Sequence, residues 1–537
     1  MAKQSNLQLF LSKVSKVLKK NQILSEKEDH REYLYSCIDV KKVISAVLKP
    51  KSKEEVQSIV SLANTYSIPL YPISRGNNWG YGTKNPAKNN SVIVDLSLMN
   101  SILEFDNTLG YVRIEPGVTQ QQLYDYLEKN NSEFQMDPTG SAPSTSVLAN
   151  ALERGFGIGV YNNHFESLSN LEIVMPDSTL LQTGFGHYDN SKTKEVYKYG
   201  VGPFMDGIFS QSNLGIVTSG TMHLAPKTQC IEMMALRLDS NEVLGDVIDV
   251  MQKLRIKGIC KATVNVLYGK RVLTTKIRFP NLKSSESRLS DSIYKHLLDE
   301  HDVGHWNIVT ALYGTKEEVA LAKKMISKSL KGVSGRLSFI SERKLDFIYA
   351  NKKLLSPILS LINDIDIDSL YDTLKRTFSI MGGKPSTASM RSPYFRSDKE
   401  FNEQDPNPAK DNCGLYWISP ILPFRKEDVL KSFALGEKIC KKYGFDFCPT
   451  YSMASGRCID NTIPLIYNKD DKEETKRAAK CNEELILEHK KLGYVIYRSG
   501  ISSMKYIVDK DDSFWKVKKK IKEALDPNSI IAPGRYE

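Results

Sequence analysis

The chain has 537 residues, 41% of them hydrophobic, and a formal charge of +11; this excludes a disordered chain or one small domain and predicts two domains or so. The charge is dispersed, and its densest run (Lys516, Lys518, Lys519, Lys520, Lys522) lies on a helical pattern with apolar Trp515, Val517, Ile521 and Leu525, so it reads as a solvated helix face, not a nucleic-acid site. Eight cysteines without a CxxC pair fit a reduced, cytoplasmic setting, and no run approaches the ~18 apolar residues of a membrane span.

The N-terminal "NLQLFLSKVSKVLKK" carries Leu7, Phe10, Leu11, Val14 and Leu18 on one helical face. A transit peptide would share its basic, acid-poor character but would carry arginine, so a packed amphipathic helix is the preferred reading. Residues 42–100 alternate strand, helix, strand and strand, with Ser52 as the helix N-cap. Between the last two strands lies "SRGNNWGYG", a loop whose three glycines allow positive φ and close approach of backbone to a ligand. "YVRIEPGVT" and the helix "QQQLYDYLEKNN" follow, then a second turn-rich loop, "DPTGSAPSTSVLANALERGFGIG", feeding a short helix. "SLSNLEIVMPDSTLLQTG" predicts a hairpin hinged at Pro176-Asp177, and a third loop around Ser210 to Asn213 precedes another β-rich run.

From about residue 236 the pattern becomes alternating helices and strands with fewer glycines, an α+β texture. A Pro/Asn/Asp-rich excursion at 384–412 reads as a long surface loop. "HDVGH" (His301 to His305) imitates a zinc helix, but Gly304 and the strand-like "WNIVTALY" that follows separate the two histidines, so no metal is expected. GxSxG, Walker and strand-placed GxGxxG motifs are missing, which argues against serine hydrolase, P-loop and Rossmann chemistry.

The loop "PISRGNNWGYG", the stretch from "PSTSVLAN" to "LLQTGFG", the block "YGVGPFMDGIFSQSNLGIVTSG" and the ending "LDPNSIIAPGRYE" together resemble the vanillyl-alcohol oxidase and p-cresol methylhydroxylase flavoproteins, in order along nearly the whole chain. The resemblance implies an α+β fold: a PCMH-type FAD-binding domain of two subdomains (1–235), an α+β cap (236–490) and a C-terminal segment returning to the FAD domain (491–537). It implies FAD contacts from Arg75, Gly76, Asn77, Asn78, Gly80 and Gly82, from Ser144, Ser146 and Asn150, from Ser212, Asn213, Gly215, Ile216 and Val217, and from Arg535. Neutral N–H donors in such a nest can hold a diphosphate without a lysine.

The same resemblance implies that Tyr81, Tyr497 and Arg498 hold a substrate phenolate, so that a hydride leaves the para benzylic carbon for flavin N5 and a p-quinone methide forms. Two positions depart from the pattern. Ser141 stands where phenol oxidases of the family carry an aspartate, which leaves the base open between Asp137, Asp460 and neither. "SGRCIDNTIPLIYNKD" lacks the histidine that tethers flavin, so FAD is expected to be noncovalent, with Cys458 the remaining tether. The implied partners are a small phenol and O2 or a redox protein as electron acceptor, in a homodimer without nucleic acid or membrane. An oxidase or dehydrogenase of a non-phenolic alcohol, hydroxy acid or sugar is the alternative, and a non-catalytic subunit retaining the fold a further one.

Overall fold

Apolar runs rich in β-branched residues build the first layer. Ile44–Leu48, Ser91–Asp95 and Leu70–Ile73 lie parallel, with Ile23–Leu24 antiparallel at the edge. Every residue of Ser91–Asp95 is buried, as a parallel strand covered on both faces requires. The crossover helix Lys53–Tyr66 starts at Ser52, whose Oγ accepts from the Glu55 N–H at 3.3 Å. The N-terminal helix Ala2–Val14 packs on it through Phe10 and Val14, with Leu18 just beyond, as the apolar spacing predicts. The computed structural model describes residues 2–282, 288–352 and 367–537.

A second, antiparallel sheet has the order Ile102–Asp106, Tyr111–Ile114, Ile216–His223, Leu168–Val174, Leu180–Gln182, its last two strands forming the hairpin predicted around Pro176-Asp177. The third sheet is the largest. From Arg336–Ser341 it runs through Cys230–Leu238, Trp306–Gly314, Val264–Tyr268, Thr450–Met453 and Cys458–Tyr467 to Gly414–Ile418, antiparallel throughout. Strand alternation gives it two faces: Val264 and Val266 join the core under the helix Leu244–Ile256, whereas Asn265 and Leu267 turn to a cavity on the other side.

Residues 491–537 touch all three layers. Ile496 bridges Pro420, beside the strand Ile421–Pro423 of the third sheet, and Ile531 bridges Leu70 of the first sheet. Between them, Lys522 Nζ donates to the Asn213 carbonyl, beside the entry to the second sheet's Ile216–His223, at 2.7 Å.

Two expectations hold only in part. Within 384–412, residues 398–405 form a largely exposed loop as expected, but Ala388–Arg396 winds into a 3-10 helix with Met390, Tyr394, Phe395 and Arg396 buried, Arg396 clamped on buried Glu474. The helix Ser513–Leu525 forms and exposes Lys516, Lys519 and Lys520 as expected, but its apolar pattern does not mark the buried side. Phe514 and Val517 are 68% and 55% exposed, while Lys522 is buried against the Asp526 carboxylate and the carbonyls of Asn213 and Ile531. Three converging acceptors satisfy the ammonium that the apolar pattern would have sent to solvent.

Candidate functional site

One cavity of about 700 Å³ lies between the glycine-rich loops of the first two layers and the open face of the third sheet. Arg75, Gly76, Asn77 and Asn78 line it from the first loop, Ser141, Ser146 and Asn150 from the second, and Ser212, Gly215, Ile216 and Val217 from the third. Tyr81, Tyr497, Arg498 and Arg535 line it as well, so residues more than 400 positions apart converge on one space.

The loop end suits an anion. Among the described residues, the N–H groups of Gly76, Asn77 and Asn78 donate to no protein acceptor, and Arg75 Nε is buried without a partner. Gly76 has φ of +69°, a conformation L side chains seldom take. Asn77 Nδ2 donates to Ser144 Oγ at 2.9 Å and ties the first loop to the second. Ser146 Oγ caps the helix Val147–Leu152 at Ala149 N, 3.0 Å, and the Asn150 side chain is fixed by His164 Nδ1 at 2.6 Å.

Four of the predicted cofactor contacts fall outside the lining: Gly80, Gly82, Ser144 and Asn213. Gly80, at φ +78°, has no Cβ because one would lie 2.5 Å from Trp417 Cδ1 on the strand Gly414–Ile418; at Gly82 the obstacle is Ile501. Their close approach is to protein. Asn213 is spent on the C-terminus, its Nδ2 donating to Glu537 Oε1 at 2.6 Å.

At the other end, the Arg498 guanidinium lies 4.6 Å from the Tyr81 ring centroid and donates to Asn78 Oδ1 at 2.6 Å. It also sits 3.6 Å from Glu153, which bonds Arg535 too. Burial alone would raise the Glu153 carboxyl, but Arg535 and then Arg498 pull it below the usual carboxylate range. Burial pushes Tyr81 up to about 12 despite Arg498, and takes Tyr497 well above its ordinary value, with Asp460 adding to both. The Tyr497 ring packs edge-on against Phe156 at 5.6 Å.

Sequence reasoning left the carboxylate open. Asp460 lines the cavity on the strand Cys458–Tyr467; Thr462 Oγ1 donates to its Oδ2 at 3.2 Å, its Oδ1 is buried without a partner, and burial raises it to about 7. Asp137 turns away and accepts from the Ile158 and Gly159 N–H groups at 2.9 Å each. Ser141 Oγ accepts from Thr145 Oγ1 at 2.9 Å. Cys458 Sγ lies 3.2 Å from Ser455 Oγ, outside the lining. His305 bonds Asn241, and no metal-binding cluster of His, Cys, Asp and Glu occurs among the described residues. Glu153, Trp417, Ser419 and Arg271 also line the cavity and had not been singled out.

Residues 44–184 match the family model described as an FAD binding domain. The chain is 31% identical, over 92% of its length and 90% of the relative's, to 1'-carboxy-chondrochloren decarboxylase of Chondromyces crocatus. It is 28% identical, over 91% and 87%, to the 4-cresol dehydrogenase [hydroxylating] flavoprotein subunit of Pseudomonas putida. A crystal structure of p-cresol methylhydroxylase with substrate bound superposes with a TM-score of 0.87 at 26% identity, covering 99% of this chain and 97% of that one.

Proposed function

Since the chain belongs to the vanillyl-alcohol oxidase and p-cresol methylhydroxylase family of FAD-linked oxidoreductases, with FAD as its cofactor, we propose that it oxidises a para-substituted phenol at the benzylic carbon. The carrying observation is that Tyr81, Tyr497 and Arg498 share one cavity with Asp460, the carboxylate that both tyrosines feel.

Bound FAD supplies the hydride acceptor. Its diphosphate suits the free amides of Gly76 to Asn78 and the orphaned Arg75 Nε. We read it as noncovalently held, since the lining residues include neither histidine nor cysteine among those described. In this reading the phenol gives its proton to Asp460, so the negative charge moves from that carboxylate to the phenolate and the net charge of the cavity is unchanged. Arg498 and the two tyrosine hydroxyls stabilise that oxygen, and electron density pushed into the ring lowers the barrier to hydride loss. Glu153 holds Arg498 in place and shares its charge with Arg535. Ser141, tied to Thr145, offers no base for adding water to the quinone methide, so products other than a benzylic alcohol are favoured.

Rapid-mixing flavin reduction with a 4-alkylphenol tests this. Arg498→Ala is expected to cost about 2–4 kcal/mol in the reduction barrier and Tyr81→Phe about 1–2. Wild-type rates from both folded, flavin-loaded variants across pH would mean that the phenol is not the substrate. A second reading of the product is favoured by the likeness to a decarboxylase. Where the para substituent bears a carboxylate one carbon beyond the benzylic position, the C–CO2 bonding pair of the quinone methide forms a side-chain alkene, the ring regains its phenolate, and CO2 leaves.

A further inference from the structure

Four arginines and two acids line the cavity among the described residues: Arg75, Arg271, Arg498 and Arg535, with Glu153 and Asp460. Arg498 and Arg535 share Glu153. Arg75 belongs to the anion-binding loop. Arg271 is left, on the opposite, cap side, in the first turn of the helix Gly269–Lys276 that follows the cavity-facing strand Val264–Tyr268.

Its guanidinium is held by one corner. Nη1 donates to Thr274 Oγ1 at 3.0 Å and to Ser392 Oγ at 3.1 Å, and those hydroxyls lie 2.8 Å from each other. Nε is buried without a partner, and Nη2 has no protein acceptor among the described residues. The unused edge is therefore Nε with Nη2, the side-on pair of donors that matches the two oxygens of a carboxylate. The protein uses that edge once nearby: Arg396, four residues after Ser392, donates from Nε and Nη2 to the two Glu474 oxygens at 3.2 and 2.6 Å. Arg271 has the same donors and no acid to receive them. A buried guanidinium edge left unmatched is costly unless a ligand completes it.

We propose that Arg271 is a carboxylate-binding subsite, and that the substrate is a phenol whose para substituent ends in a carboxylate. The inference rests on the phenol reading of the same cavity. It gives the substrate two anchored ends: the phenol oxygen at Tyr81, Tyr497 and Arg498, and the carboxylate at Arg271.

The test compares 3-(4-hydroxyphenyl)propanoate with its primary amide and with 4-ethylphenol, using the FAD-loaded protein and the concentration dependence of anaerobic flavin reduction. Wild type is expected to take the carboxylate with an apparent Kd on the order of 10- to 100-fold below that of the amide. Arg271→Gln should abolish this preference while leaving 4-ethylphenol saturation within about twofold, and Arg271→Lys should restore part of it. Equal affinity of wild type for acid and amide overturns the proposal, without recourse to a variant that might misfold. Loss of FAD from Arg271→Gln, or equal weakening of all three ligands, overturns it as well, by assigning the arginine to the cofactor or the fold. If 4-ethylphenol reduces the flavin and the acid has no advantage, the carboxylate subsite fails and the phenol reading stands. If 3-phenylpropanoate perturbs the flavin spectrum in an Arg271-dependent way while no phenol reduces it, the subsite stands and the phenol reading fails.

Discussion

Asp460 shows how one buried side chain links stability to chemistry. Burial lifts it to about 7, with only Thr462 opposing. An unfolded aspartate titrates near ~3.9, so between roughly pH 4 and 7 the folded protein keeps a proton that the unfolded chain has released. Stability contributed at this site thus falls as pH rises through that window, by at most about 4 kcal/mol. The ionised form is the one that can take a phenolic proton, so flavin reduction should rise with pH through about 7. Asp460→Asn is expected to flatten both profiles: denaturant midpoints should drop less between pH 4 and 7, and reduction should slow about 100-fold with its limb near 7 gone. A limb that persists in the variant would assign the titration to another group. At this scale the sequence was partly readable. Tyr81 sits in a motif that carries the resemblance, and Tyr497 and Arg498 follow as what that resemblance implies. Asp460 was visible, and strand alternation offered a signal, since Asp460 and Thr462 share the cavity face while Asn461 points back to Ser432. Arg271 gave none, because "GKRVLTTK" reads as an ordinary basic helix start with a solvent face.

Elements assembled from local rules are the ones that sequence reading recovers. The helix from Lys53 follows from its Ser52 cap and apolar stripe, and the hairpin at Pro176-Asp177 from its turn residues. Where partners from distant elements decide, local rules mislead. The 3-10 helix Ala388–Arg396 is polar by composition but is held by Glu474, about 80 residues on. The loop 76–82 is the mixed case: its glycines were legible as a site of close approach, but what approaches Gly80 is Trp417. A side chain there must also accept φ +78°, which costs an L residue roughly 1–2 kcal/mol before any clash. Gly80→Ala is expected to lose about 2–4 kcal/mol of stability in denaturant unfolding, from strain plus displacement of the Trp417 ring. FAD bound per folded molecule should remain near one, because the free amides lie upstream at Gly76 to Asn78. Loss of flavin without loss of stability would return Gly80 to the cofactor cradle.

For the whole molecule the decisive element is the last one. Residues 491–537 bridge the third sheet's edge at Pro420, place Arg498 under Tyr81, and join the first sheet beside Leu70. Lys522 gathers this closure into one buried centre: its Nζ donates to the Asn213 carbonyl of the third cavity loop, to the Ile531 carbonyl of the strand-like end, and to the Asp526 carboxylate between them. The carboxylate also accepts from the Ile530 and Ile531 N–H groups at 3.0 and 2.9 Å, so removing the ammonium leaves a buried anion half-compensated and two carbonyls unpaired. Breaking one side of such a pair costs about 3–5 kcal/mol. Lys522→Met keeps the length and apolar stem of the side chain, so packing is preserved and the loss isolates the charge. The expected result is a fall of that size in unfolding free energy. FAD retention through gel filtration should fall with it, because Ser212 and Arg535, which flank the tethered ends, both line the cavity. Saturating FAD should recover part of the stability by mass action, since ligand binds only the closed form. A Lys522→Met protein that loses less than about 1 kcal/mol, or loses stability with flavin affinity unchanged, would show that the C-terminal segment closes the cavity through its apolar contacts at Ile530 to Ala532 and not through this ion.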